Sequence, residues 1–430
     1  MQVLLYQILW HLARPFAGLW LKKRLADGRE TSESLPQRLA KSWPEKRPPG
    51  PLFWLHAVSA GEAVAACQLA KALLAAEPGR TMLITTNTPA GAAIVRAAGK
   101  THPILHAFQP LDHPLLVDRF LSYWQPDAAL FLESDFWFNL VSRAARRELP
   151  VFFASAQLSA RSFAAWQRRP ALARQLFGAA WLVLAVDAKQ ARQFGQLRGQ
   201  PHDPKAIALG SLKVSREKLA INAGFAGQLR QAASGRAVLL AASTHADEEQ
   251  LIHTAWQALP EADRPLLILA PRHPGRAADI LADLGPLPQR SRDQLPERPD
   301  SAYLCDSMGE MGSLFAAADL VILGGSLVPA GGHNPLEPAL FGKPILAGPH
   351  HFKNQADYEG LVAAGAMRIS AAEKLATDLA TALADTGFRM QAAEAGPAFV
   401  EEAARRPERA AAAIDAALKE AKTEAGGTKP

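Results

Sequence analysis

The sequence is poor in several things, and each shortage excludes something. It holds two cysteines, Cys67 and Cys305, in 430 residues. They match neither a metal-ligand spacing nor a disulfide framework, so the chain suits a reducing compartment, with both thiols as small buried hydrophobes. No His-Glu-x-x-His, no Asp-x-Asp carboxylate pair beside a donor site and no Walker lysine loop occurs, so neither a metal nor a cofactor is expected. Beyond residues 1–21 no apolar run approaches membrane-spanning length. Basic residues are scattered rather than striped and carry no RNA- or DNA-binding signature, so nucleic acid is not an expected partner.

What is present reads as a folded enzyme-sized chain. Apolar residues make up 49% and charged residues 20% of the sequence, a globular balance, and the length allows two ordinary domains. The formal charge of +6 suits an acidic lipid or a phosphorylated substrate, or serves solubility alone.

Residues 1–21 (MQVLLYQILWHLARPFAGLWL) precede Lys22, Lys23 and Arg24. A cleaved signal peptide would place its charges first. His11, Arg14 and Pro15 interrupt the apolar stretch that a clean spanning helix needs. Residues 1–24 are therefore read as a membrane anchor that lies in, or barely crosses, the bilayer, with the basic cluster at an anionic surface. The alternative is a helix packed on the body.

After the breaker cluster Arg47-Pro48-Pro49-Gly50-Pro51, strand-like and helix-like segments alternate. Apolar strands are expected at 52–58, 81–87, 128–134 and 151–156, and again at 237–243, 266–272, 320–325 and 344–349. Such alternation predicts an α/β protein with parallel sheets covered on both faces. The expected organisation is one Rossmann-like domain over 50–212, a second over 236–395, and a helical C-terminal tail over 396–430. Ligands should gather beyond the carboxyl ends of the strands, in a cleft.

Those strand ends carry polar residues. Ser59-Ala60-Gly61-Glu62 opens a helix, and Glu62 is either a cap or a base. Glu133 and Asp135 sit beside Phe136 and Trp137, suiting sugar binding or proton handling, or else capping. Gly210-Ser211-Leu212-Lys213 offers a turn and a cation. Pro271-Arg272-His273-Pro274 leaves Arg272 free to pair with phosphate, while His273 is an acid or a structural histidine. The densest stretch runs from Gly324 through Gly331-Gly332-His333-Asn334-Pro335-Leu336-Glu337. Its glycines would let a ligand approach the backbone, Asn334 and Pro335 would open a helix facing a phosphate, and Glu337 could bridge ribose hydroxyls.

Taken together, the segments HAVSAGE (56–62), TTNTPAGA (85–92), QPLDHP (109–114), ESDFWFN (133–139), QLSARSF (157–163), GSLK (210–213), ASTHADEE (242–249), PRHPGR (271–276), MGEMGSLF (308–315) and GGSLVPAGGHNPLEPALFGKPILAGPH (324–350) resemble the bacterial 3-deoxy-D-manno-octulosonic acid (Kdo) transferases, in family order and over nearly the whole chain. The resemblance implies a GT-B glycosyltransferase with an acceptor-binding first half and a CMP-Kdo-binding second half. It implies inverting, metal-independent transfer of Kdo to lipid A precursor, at the cytoplasmic face of the bacterial inner membrane. By motif, Glu62 looks like the base, and Glu133 and Lys213 like groups that stabilise the transition state. Pro271, Arg272, Met308, Gly309, Glu310, Asn334, Pro335, Leu336 and Glu337 look like the CMP site.

The chain also departs from the family pattern. Ser155-Ala156-Gln157-Leu158-Ser159 replaces Asn-Ala-Arg-Leu-Ser, so an arginine is missing. Ser211, Val214 and Ser215 replace the asparagine, aromatic and aspartate of Gly-Asn-Leu-Lys and its sequel, and Phe138 replaces a proline after Trp137. These changes fall in or near the acceptor side. The alternatives are a GT-B transferase for another nucleotide-activated acidic sugar or another acceptor, and a non-catalytic nucleotide- or lipid-binding relative.

Overall fold

A computed structural model describes residues 2–296, 298 and 301–426. Gly427–Pro430, expected as a frayed end, lie outside the described residues, as does Met1 of the expected anchor.

Among the described residues, thirteen strands form two wholly parallel sheets. The first comprises β1 (Leu52–His56), β2 (Thr81–Thr86), β3 (Ile104–Phe108), β4 (Ala128–Leu132), β5 (Val151–Ala156), β6 (Ala180–Ala185) and β7 (Ala206–Ala208). The second comprises β8 (Val238–Thr244), β9 (Leu266–Pro271), β10 (Ala302–Leu304), β11 (Leu320–Leu323), β12 (Ile345–Ala347) and β13 (Met367–Ile369). The sequence pattern exposed the long strands because they lack alternation: every residue of β1, β4 and β5 is buried, as strands covered on both faces require. β3, β6, β7, β10 and β13 were not read from the sequence. Three of them, β7, β10 and β13, are only three residues long, too short for any period to declare itself.

The strand order is β3-β2-β1-β4-β5-β6-β7 in the first sheet and β10-β9-β8-β11-β12-β13 in the second. Counted from the first strand of each half, the same 3-2-1-4-5-6 permutation occurs twice. The order reverses between β1 and β4, and between β8 and β11. At such a point the two flanking loops diverge to opposite faces and leave an opening for ligand.

Contacts divide the chain into two compact units, Met1–Lys213 with Arg405–Pro430, and Val214–Ala404. This differs from the expected division in one informative way. The stretch 396–430 is not a separate tail. Its first residues end helix Thr386–Ala403 in the second unit, and helix Arg406–Gly426 belongs with the first unit. Ala410, Ala411 and Ile414 are fully or almost fully buried against Leu69, Ala70 and Leu73 of helix Ala60–Ala76. Burying a side chain the size of Ile414 stabilises by roughly 1.5–3 kcal/mol, enough to commit the helix to that face.

Residues Gln2–Ala26 form one helix. No helix among the described residues is long and apolar enough to cross a membrane. This helix leaves Leu12, Phe16, Leu19 and Trp20 exposed. It is tied to the body by Tyr6, whose hydroxyl donates to Asp112 Oδ2 at 2.6 Å and whose ring meets Phe138 edge-on at 5.6 Å. The buried Asp112 carboxylate also accepts from the Asn139 and Leu140 amides, capping helix Phe138–Arg146.

Candidate active site

In the first unit the reversal point is lined by the loops after β1 and β4. Ser59 caps helix Ala60–Ala76 by accepting from the Glu62 amide, and Glu62 reaches back. Its Oε1 accepts from the Ser59 hydroxyl at 3.0 Å and its Oε2 from the Val58 amide at 2.7 Å. This is a reciprocal capping box, so the structural role weighed for Glu62 is real. It does not exhaust the carboxylate, which also meets Asp135.

Glu133 leaves β4 with φ +60°, a left-handed conformation that costs about 1–3 kcal/mol in a non-glycine residue and has to be held by its surroundings. Its amide donates to the Ala154 carbonyl at 3.0 Å and its own carbonyl accepts from Gln157 at 3.2 Å. So aimed, Glu133 Oε1 pairs with Lys213 Nζ at 2.7 Å, and Oε2 accepts from Gln157 Nε2 at 3.3 Å. Gln157 thus stands where the family pattern has arginine, and Lys213 is the ion-pair partner that remains. Burial still pushes the Glu133 carboxyl upward against the pull of Lys213.

The sequence reading noted Asp135 but left it out of the proposed site. Burial, the nearby Glu62 and Glu133 carboxylates and a hydrogen bond with Glu62 push Asp135 up to about 7, with Lys213 opposing. Three carboxyl groups therefore face one lysine, and Asp135 holds a proton toward Glu62. The signal was its spacing: two residues past Glu133 at the same strand end.

Lys213 is placed by its loop. Leu212 donates its amide to Ser155 Oγ at 3.2 Å, and Ser155 itself has φ +53° at a register shift between β5 and β6. Arg406, from the returning C-terminal helix, donates to the Ser211 carbonyl at 3.2 Å. Bulges beside strand ends are a common means of aiming such side chains.

A cavity of about 490 Å³ lies beside the segments that follow β2, β3 and β4. Its walls include Trp10, Phe16 and Trp20 of the N-terminal helix and Trp137, while Arg24 and Arg38, both paired with Glu30, lie among its polar groups.

In the second unit the residues expected to hold CMP leave the carboxyl ends of β9, β10 and β11. Pro271 ends β9, and the Arg272 side chain is exposed. Met308 is 74% exposed beside Gly309, and Glu310 accepts from Arg290 Nε at 2.9 Å. Asn334 Oδ1 accepts from the Leu336 amide at 3.1 Å, and its Nδ2 donates to Glu337 Oε1 at 3.3 Å. Burial raises the Glu337 carboxyl, opposed by Asn334 and Arg272.

Two details correct the sequence reading. The helix expected to open at Asn334 and Pro335 begins at Leu336 and is five residues long, too short to act as an anion-binding dipole. Three amides of the glycine-rich loop are also already taken. The fully buried Glu248 carboxylate, on helix Glu248–Gln257, accepts from the amides of Gly325 at 2.7 Å, Ser326 at 3.1 Å and Leu327 at 2.9 Å, and from His245 at 2.9 Å. Packing explains key glycines. A Cβ on Gly324 would run into the Ser243 carbonyl, and one on Gly332, at φ +74°, would lie 2.7 Å from the Tyr358 hydroxyl.

What faces outward at this reversal point is basic. His245 and His333 are both half-buried and meet edge to edge, with ring planes 10° apart, centroids 5.0 Å apart and Nε2 atoms 2.9 Å from each other. Arg272, Lys353 and His273 stand around them. Sequence reasoning assigned His245 and His333 no role, since each lay inside a motif whose other residues drew attention.

Two Rossmann-like units of one strand order define the GT-B class of sugar-nucleotide enzymes. The fold matches UDP-GlcNAc 2-epimerase from Neisseria meningitidis, with a TM-score of 0.56 at 14% identity over 86% of this chain and 100% of that one. The family profile described as 3-deoxy-D-manno-octulosonic-acid transferase (kdotransferase) matches residues 33–216. The 3-deoxy-D-manno-octulosonic acid transferase of Haemophilus influenzae is 33% identical over 71% of this chain and 72% of its own length. That of Bordetella pertussis is 32% identical over 88% and 90%. The chain belongs to the 3-deoxy-D-manno-octulosonic acid transferase family and is a glycosyltransferase.

Proposed function

We propose that the protein moves Kdo from CMP-Kdo to a lipid A precursor, by an inverting displacement that needs no metal. The observation that carries this reading is the meeting of Glu62, Glu133, Asp135 and Lys213 at the first reversal point. Inversion needs one base on the acceptor hydroxyl. Glu62 serves, with its carboxylate held by the Ser59 hydroxyl and the Val58 amide and with Asp135 bridging to it. The hydroxyl proton passes to Glu62 as oxygen attacks the anomeric carbon. The bond from that carbon to the phosphate oxygen breaks, and its electron pair leaves with CMP. The Glu133–Lys213 pair offers a fixed dipole that needs no reorganisation as charge develops.

The nucleotide falls to the second unit. Arg272 and Lys353 supply positive charge for its phosphate, and Asn334 with Glu337 supplies polar atoms for its sugar. The lipid side falls to the first unit. The aromatic cavity suits acyl chains, and exposed Phe16, Leu19 and Trp20 suit a bilayer surface at the cytoplasmic face of the inner membrane.

The test is transfer in detergent from CMP-Kdo, generated in situ, to tetraacylated lipid A precursor, read by mass spectrometry. A gain of one or more Kdo masses is expected. CMP binding without transfer would move the acceptor elsewhere, in line with the changes at Gln157 and Ser211. Failure to bind CMP would overturn the donor assignment.

A further inference from the structure

We infer that His245 and His333 act as one unit that contacts the phosphate of the bound nucleotide and takes up a proton as it binds. The inference rests on the second unit being the nucleotide site. Three observations carry it.

The first is exclusion. The backbone amides that would ordinarily cradle a phosphate in a glycine-rich loop already bind an anion, the Glu248 carboxylate. An incoming phosphate finds these three amides taken.

The second is geometry. With Nε2 atoms 2.9 Å apart, one imidazole donates to the other, and the neutral pair keeps a single further N–H, on Nδ1 of the accepting ring. One added proton changes this. With the Nε2–H···Nε2 bond kept, the added proton sits on the free Nδ1 of the donor ring, so the pair becomes cationic and carries an N–H on each Nδ1 for an anion. Both rings are held for the purpose. Glu248 binds the His245 amide and the loop amides Gly325 to Leu327, so a single carboxylate fixes the backbones on which both histidines depend. Tyr358 donates to the His333 carbonyl at 3.0 Å, and the His333 amide donates to Gly324 at 3.2 Å.

The third is the local field. The charged groups facing the pair are Arg272, Lys353, Arg276 and His273 on the basic side and Glu248 on the acidic side. Burial first, then His245, Arg272, Lys353 and His273, lower His333 to about 4, and burial likewise lowers His245. The empty pair is therefore neutral at pH 7. A phosphate seated between Arg272 and Lys353 offsets that positive field, and the proton becomes more favourable.

Calorimetric titration of the full-length protein with CMP, in buffers of different ionisation enthalpy between pH 6 and 7.5, counts the protons taken up. Cytidine serves as the phosphate-free probe. Wild type is expected to take up a fraction of a proton with CMP that grows as pH falls and is absent with cytidine. His333→Asn and, independently, His245→Asn should abolish that fraction and weaken CMP roughly 10–100-fold, as loss of a charge-assisted hydrogen bond does, with cytidine affinity kept. Unchanged cytidine binding shows that the variants are folded. Wild-type CMP binding with no more proton uptake than either variant would overturn the inference while leaving the nucleotide site in place. If wild type binds neither CMP nor cytidine, the nucleotide assignment falls and this inference with it.

Discussion

Each half of the molecule sets a glutamate in the first turn of the helix after its first strand, Glu62 after β1 and Glu248 after β8. Both reach back to an amide of the preceding turn, Val58 in one case and His245 in the other. There the likeness stops. Glu248 accepts four amides and is fully buried, so every lone pair that matters is spent on holding a loop. Glu62 accepts one amide and one hydroxyl, and its remaining capacity is turned toward Asp135 and left for the proposed reaction. The same residue at the same place in the same fold is either spent as scaffold or left available for the proposed chemistry, according to how many donors surround it.

The contrast can be broken at either end. Replacing Glu62 with Gln should have the largest effect, a fall in transfer of roughly 10²–10⁴-fold with CMP affinity unchanged, because a general base contributes about that much. Normal turnover by that variant would remove Glu62 from the chemistry. Glu248→Gln should act through the fold instead. Its amide nitrogen would meet backbone N–H groups, costing on the order of 3 kcal/mol and loosening the loop that carries His333. The urea midpoint of the second unit should drop and CMP affinity should fall. A variant that lost turnover with an unchanged midpoint and unchanged CMP affinity would make Glu248 a reagent too.

Smaller effects sharpen the comparison. Asp135, lifted from its ordinary 3.8 to about 7, keeps a proton in the folded protein that the unfolded chain has already released. Its contribution to stability therefore declines as pH rises from about 4 to about 7. Asp135→Asn should raise the melting temperature relative to wild type at pH 8 and leave it unchanged near pH 4, by roughly 2–4 °C for each kcal/mol relieved. An equal shift at both pH values would show that Asp135 is not the proton holder. The smallest change is expected of Gln157→Arg, which returns a guanidinium to Glu133. It should pull the Glu133 carboxyl downward, visible as an acid-side shift in the pH profile of transfer, with little effect on stability. If the profile stays put, the absent arginine never answered to Glu133.

Much of this was legible beforehand. Unbroken apolar runs such as AALFL betrayed the buried parallel strands, and the polar residues that follow them marked the reversal points. The glycines were harder. In a sequence, Gly324, Gly331 and Gly332 look like room for a ligand, but the structure spends Gly324 and Gly332 on close packing against Ser243 and Tyr358. Glu248 was equally hidden. A carboxylate satisfied by backbone amides leaves no pattern, because any residue can supply an N–H. The return of the chain past Arg405 was also invisible, since an Ala-rich amphipathic helix does not say which core it will cover.

That return has a consequence for how the protein is made. The first unit starts the chain, yet its core is finished by Ala410, Ala411 and Ile414, and its Lys213 loop is braced by Arg406. A nascent chain emerging N-terminus first can build both sheets before any of these residues appears. The lysine beside Glu133 is thus among the last features to be set in place. A chain cut short after the second unit would carry a nearly whole nucleotide half and an unfinished reactive one.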